Sequence, residues 1–146
     1  VIIEFAVRPD QGEPSGFDLG DMVWRGELGE ASSIGQNPNQ GMMIFLSVAQ
    51  LLDVLRNLLQ GSTAITHFVG VDSSFALTFK ATKAGISVTS KSGKLAVVSR
   101  AALAATVLRA AEELADSTLE ALPAHDGARD DYTAALNQFR SVARSL

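Results

Sequence analysis

Apolar residues recur along this chain at two spacings, and the switches between them divide it into strands and helices. Ile2 to Val7 is β-branched and aromatic and stops before Pro9, which reads as a first strand. Asp10 to Gly20 is rich in Gly, Pro, Asp and Ser and reads as a long loop. Met22 to Leu28 then alternates, placing Met22, Trp24 and Leu28 on one face and Val23, Arg25 and Glu27 on the other. Gly26 interrupts this strand and marks a bulge or a close backbone approach. Residues 29–41 form the most loop-like stretch, and Met42 to Leu46 is a short apolar run that leads into a helix or forms a buried strand.

The helical spacing begins at Val48 and continues through Leu51, Leu52, Leu55, Leu58 and Leu59. Ser47 and Gln50 have the spacing of a capping box before it, and Gly61 closes it as a C′ glycine. Period two returns at Thr66–Val71, Phe75–Lys80, Ile86–Thr89 and Leu95–Val98, joined by short polar or glycine-containing links. Such links imply antiparallel hairpins, because parallel crossovers need about a dozen or more residues. Ser99 caps a second helix running towards Leu122, Pro123 breaks it, and a third helix covers about Arg129 to Ser145.

Hairpin-linked strands with helices segregated between and after them predict an α+β fold. The expected architecture is a twisted antiparallel sheet of about six strands. Two main helices pack on one of its faces, followed by a C-terminal helix, all within one domain over residues 1–146.

Composition narrows the chemistry. The chain has no cysteine, which excludes disulfides, thiolate metal sites and cysteine nucleophiles. No apolar run approaches a membrane span, and Val1–Glu4 lacks a basic segment followed by an apolar stretch, so a cytoplasmic protein without a signal peptide is expected. The net charge of −4 is uneven. Residues 1–36 carry seven acids against two arginines, residues 37–98 are net basic through Arg56 and Lys80, Lys83, Lys91 and Lys94, and residues 99–146 are again acidic. The four lysines fall around predicted hairpins, where solvated turns and edge-strand protection account for them.

Few residues suggest catalysis. His67, Asp72, Ser73 and Ser74 are close in sequence, but His67 and Asp72 are five residues apart and point to opposite faces of a continuing strand. His125, Asp126, Asp130 and Asp131 open a helix, where capping explains the acids better than a metal site does. Glu112, Glu113, Asp116 and Glu120 read as a solvated helix face. The glycines at 26 and 29 form only a GxxG, with no lysine at phosphate-loop spacing. Trp24 reads as core. No catalytic residue, metal or cofactor is therefore expected, and the negative charge and missing aromatic-basic platform argue against nucleic acid.

The segments Gly41-Met42-Met43-Ile44-Phe45-Leu46-Ser47-Val48-Ala49-Gln50-Leu51-Leu52 and His67-Phe68-Val69-Gly70-Val71-Asp72-Ser73-Ser74-Phe75 resemble small actinobacterial proteins of unassigned function. Some similar α+β proteins are immunity factors for polymorphic toxins. The resemblance implies a protein-binding module that neutralises a toxin by surface contact. The acidic N-terminal section suits a basic toxin domain as partner, with Asp18, Asp21, Arg25, Glu27, Glu30, Gln36, Asn37 and Asn39 as the expected contact residues. A homodimer also fits this reading, whereas a membrane partner does not. The alternative is a small-ligand-binding protein or enzyme that uses the 29–41 loop and His67.

Overall fold

The computed structural model describes all residues from Val1 to Leu146. Its strands are β1 (Ile2–Val7), β2 (Leu19–Arg25), β3 (Glu30–Ser32), β4 (Met42–Met43), β5 (Ile65–Val69), β6 (Ala76–Thr82), β7 (Gly85–Ser90) and β8 (Gly93–Val98). The helices are α1 (Ile44–Leu59) between β4 and β5, then α2 (Arg100–Thr118) and α3 (Gly127–Arg144), with a 3-10 turn at Leu119–Ala121. No helix is long and apolar enough to cross a membrane.

The α+β class and the antiparallel pairing match the sequence expectation, but there are two four-stranded sheets and not a single six-stranded one. In the first sheet β2 is central. β1 pairs along its full length, while β3 takes Val23–Arg25 and β4 takes Leu19–Gly20 on the other side. The second sheet is the meander β5-β6-β7-β8. The division follows from the chain path: β3 and β4 together occupy the second edge of β2, and α1 then carries the chain away before the hairpins of β5 to β8 begin.

The two sheets meet through buried side chains. Trp24 of β2 lies 5.5 Å from the ring of Phe79 on β6 and 6.5 Å from Phe5 on β1. Main-chain contact between them is confined to the ends. The Leu28 amide donates to the Leu95 carbonyl at 2.9 Å, and the Met43 amide to the Val71 carbonyl at 3.0 Å. At Gly26 the backbones come so close that a Cβ would stand 2.1 Å from the Leu95 oxygen. Gly26 is thus a close approach, as its position in an alternating strand suggested. Leu28 departs from expectation. The strand ends at Arg25, so Leu28 sits in the turn and is exposed instead of sharing the buried face of Met22 and Trp24.

The helices pack differently from a simple layer on one face. α1 lies chiefly against α3 and β5, and α2 against β1 and α3. The C-terminal helix is therefore part of the core, with Phe45 and Tyr132 edge-to-face at 6.1 Å and the Tyr132 hydroxyl donating to the Ala111 carbonyl. Burial holds the Tyr132 phenol above its ordinary pKa. Apolar residues from both sheets and all three helices form one continuous buried cluster.

Three end signals work as expected: Ser99 accepts from the Ala102 amide, Asp126 from the Ala128 amide, and Gly61 has a left-handed φ of 82° after α1. The capping box at Ser47 does not form. α1 begins three residues earlier, at Ile44, because Met42 and Met43 first pair with β2, so Ser47 falls inside the helix. Fully buried there, its hydroxyl accepts from the Val71 amide at 2.9 Å and ties α1 to the end of β5.

Three substitutions test this frame by urea denaturation. Gly26→Ala places a methyl against the Leu95 carbonyl and is expected to destabilise by about 2 kcal/mol or more. Gly127→Ala, at the first position of α3 with open space around it, is expected to stabilise by about 0.5 kcal/mol. Ser47→Ala leaves the Val71 amide unpaired and is expected to cost about 1–3 kcal/mol.

Candidate interaction surface beside β3

The stretch read from sequence as an open loop contains β3. Three residues suffice because Ala31, opposite Trp24, turns inward while Glu30 and Ser32 turn out. The Ser33 amide donates to the Met22 carbonyl and the Gly26 amide to the Gly29 carbonyl. Bonded and non-bonded positions alternate in an antiparallel pair, and Trp24–Ala31 falls in the bonded set. The main-chain groups of Glu30 and Ser32 therefore face away from β2. Gln36 Nε2 meets the Ser32 carbonyl at 3.1 Å, which leaves the Glu30 amide, the Glu30 carbonyl and the Ser32 amide without partners.

A cleft of about 220 Å³ runs along this edge. β3, Gln36 and Gln40 form one wall; Ser74–Ala76 at the start of β6 and Ser90–Ser92 in the β7–β8 turn form the other. The cleft is the open continuation of the seam between the sheets, which Leu28 and Leu95 close at one end. Hydroxyls and amides dominate its lining, with Glu30 and Lys91 as the charged groups. Large apolar side chains flank β3 at both ends: Leu28 is 64% exposed and Ile34 57%.

The expected contact residues separate into four groups. Arg25, Glu27, Glu30 and Gln36 lie at β3 or beside it; Arg25 is 3.6 Å from Glu4 and 3.4 Å from Glu30, all three exposed. Asp21 and Asn39 are instead committed internally. Arg8 donates to both oxygens of Asp21 at 2.9 Å and to Asn39 Oδ1 at 3.0 Å, while the buried Ser33 hydroxyl donates to Asp21 at 2.7 Å. Asn39 also accepts from the Gly41 amide. Burial raises the Asp21 pKa, but the hydrogen bonds from Arg8 and Ser33 and the Arg8 charge outweigh it and hold the carboxyl below its ordinary range. Asp18 lies elsewhere, accepting from the Ser15 amide and lining a small cavity with Phe45 and Thr118. Asn37 is exposed in the loop, at a cis bond to Pro38.

His67 lies exposed on β5 with Nδ1 3.0 Å from Thr78 Oγ1, and it does not line the cleft beside β3. Asp72 holds a left-handed turn with φ 59°. The Ser73 hydroxyl donates to the Gln40 carbonyl and accepts from the Phe75 amide. Asp126 accepts from the Gly16 and Ala128 amides, which lower its pKa and pin the 10–18 loop to α3. No three His, Asp or Glu side chains are grouped closely enough to share a metal ion. Comparison of the chain with protein-family models, characterised proteins and solved structures gives no match.

The Asp21 network sets a pH dependence. A carboxyl whose pKa is depressed by folding contributes stability above its unfolded pKa of about 3.9 and loses it as pH falls through the folded value. Asp21→Asn is therefore expected to be less stable than wild type at pH 7, with the gap closing as pH falls below about 4. Chemical denaturation across pH 2–7 (roughly the carboxylate range) reads this directly, and a constant gap would show that Asp21 titrates normally.

Proposed function

We propose that this chain is a protein-binding module whose contact surface is the outer edge of β3 with the cleft beside it. The observation that carries the reading is the edge itself: three partnerless main-chain groups on Glu30 and Ser32, bordering an open cleft and flanked by exposed Leu28 and Ile34. An unpaired strand edge accepts an extended segment through its main chain, and neighbouring side chains supply selectivity. Glu27, exposed and outside every ion pair, favours a segment that carries basic residues. An immunity protein that neutralises a basic toxin domain is the specific form of this reading that the sequence resemblance implies. The small-ligand alternative retains the polar cleft as its site.

Selection of binders from a random peptide library, followed by amide shift mapping of the chain, tests the reading. Extended peptides with basic residues are expected, shifting residues 28–36 and 90–92. Ser32→Pro removes an outward amide without breaking the β2 ladder and is expected to weaken these peptides about tenfold. Leu28→Asp, which changes an exposed side chain in the β2–β3 turn and keeps the Leu28 amide, is expected to weaken them as well. Binders that map elsewhere, or that ignore both changes, would overturn the assignment.

A further inference from the structure

We infer that the outer face of β5 to β8 is a second docking surface, and that it takes an acidic segment of another protein. The registers place Ile65, His67 and Val69 of β5, Thr78 and Lys80 of β6, Ser87 and Thr89 of β7, and Lys94 and Val97 of β8 on this face. The opposite face carries Phe68, Leu77, Phe79, Ile86 and Val88, all buried in the core that the helices share. On the outer face Ser87, between Lys80 and Val97, is buried, while Ile65, His67, Val69, Lys80, Lys94 and Val97 are exposed.

Charge identifies the occupant. All four lysines of the chain belong to this sheet and its turns, and none forms an ion pair; every ion pair in the protein uses an arginine. The four strands contain no Asp or Glu, and Asp72 in the β5–β6 link is the sole acid between Ile65 and Val98. Hairpin-turn solubility accounts for Lys83 and Lys91. Lys80 is different: it sits in β6, an inner strand with partners on both sides, where edge protection has no purpose. A surface kept soluble by charge normally mixes both signs, whereas one sign alone attracts a complementary partner.

The apolar residues separate protein from other anions. Ile65, Val69 and Val97 are 48%, 49% and 41% exposed, and they offer aliphatic contact to a peptide. The face has no Phe, Tyr or Trp on which bases would stack. A second copy meeting this face with its own would bring lysines together, which disfavours that pairing.

The test is a titration of the full chain, followed by amide shifts, with a short Glu/Leu peptide and separately with a single-stranded oligonucleotide of equal charge. The peptide is expected to shift residues of β5 to β8, with affinity falling about tenfold in Lys80→Glu/Lys94→Glu and remaining unchanged in Glu13→Lys, which lies exposed in the loop tied to the start of α3. The reversed lysines are exposed, so an unaltered thermal midpoint verifies folding. Absent or scattered peptide shifts, or equal binding by the double variant, overturn the proposal. Tighter oligonucleotide binding on the same face overturns it in favour of a phosphate-backbone surface. Shifts of this face on concentrating the free chain, abolished by the double variant, overturn it in favour of self-association.

Discussion

The carbonyl of Leu95 is the point on which the arrangement of the two sheets depends. It accepts the Leu28 amide and at the same time lies where any side chain at position 26 would have to be. Glycine at 26 lets the end of β2 reach that carbonyl, and the contact sets how closely the sheets approach. Trp24, two residues earlier, then reaches Phe79 across the interior. The indole pays for this position with a buried Nε1 that has no partner. Such an N–H costs about 1–3 kcal/mol, while burial of the ring, at about 200 Å² and 25 cal/mol per Å², contributes about 5 kcal/mol. The apolar gain is larger, so the tryptophan remains in the core.

The same contact explains why a cleft opens nearby. The seam is closed at Leu28, but β3 has only three residues and its outer side finds no strand to pair with. Beyond the closure, Glu30 to Ser32 face the β7–β8 turn across open space. The loop that follows is held in place by a side chain from β1's end: Arg8 bridges Asp21 of β2 and Asn39, and Ser33 joins from the other side. Four residues distant in sequence thus support one wall of the cleft.

Local patterns in the sequence determined what could be read from it. The hairpins from β5 to β8, the amphipathic stripe of α1 and the caps at Ser99, Gly61 and Asp126 are short-range features, and all are present. What was hidden depends on long-range partners. β3 was invisible because Glu-Ala-Ser has no strand signature until Trp24 lies opposite Ala31. Ser47 looked like a cap because its true role, accepting the Val71 amide, spans 24 residues. The packing of the two sheets against each other turns on the Gly26–Leu95 approach, for which a lone glycine in an alternating run was the only hint. The acidic N-terminal section was legible as composition but not as surface, since Asp21 is neutralised by Arg8 and two of the other acids share Arg25.

The size of β3 bears on how tightly its edge can hold a partner. Three main-chain groups offer at most three hydrogen bonds, each contributing about 0.5–1.5 kcal/mol net, or about 4 kcal/mol at the upper end. That alone corresponds to a Kd of about 1 mM. Burial of Leu28 and Ile34, at about 2 kcal/mol each, adds a comparable amount. Affinity therefore resides as much in these two flanking side chains as in the strand edge. A partner that merely adds a strand binds weakly and without selection. One that also provides apolar seats at both ends of β3, about 20 Å apart along an extended chain, binds tightly and is selected by that spacing. The β3 edge thus acts as a register mark, and the two exposed side chains beside it decide which segment can use it.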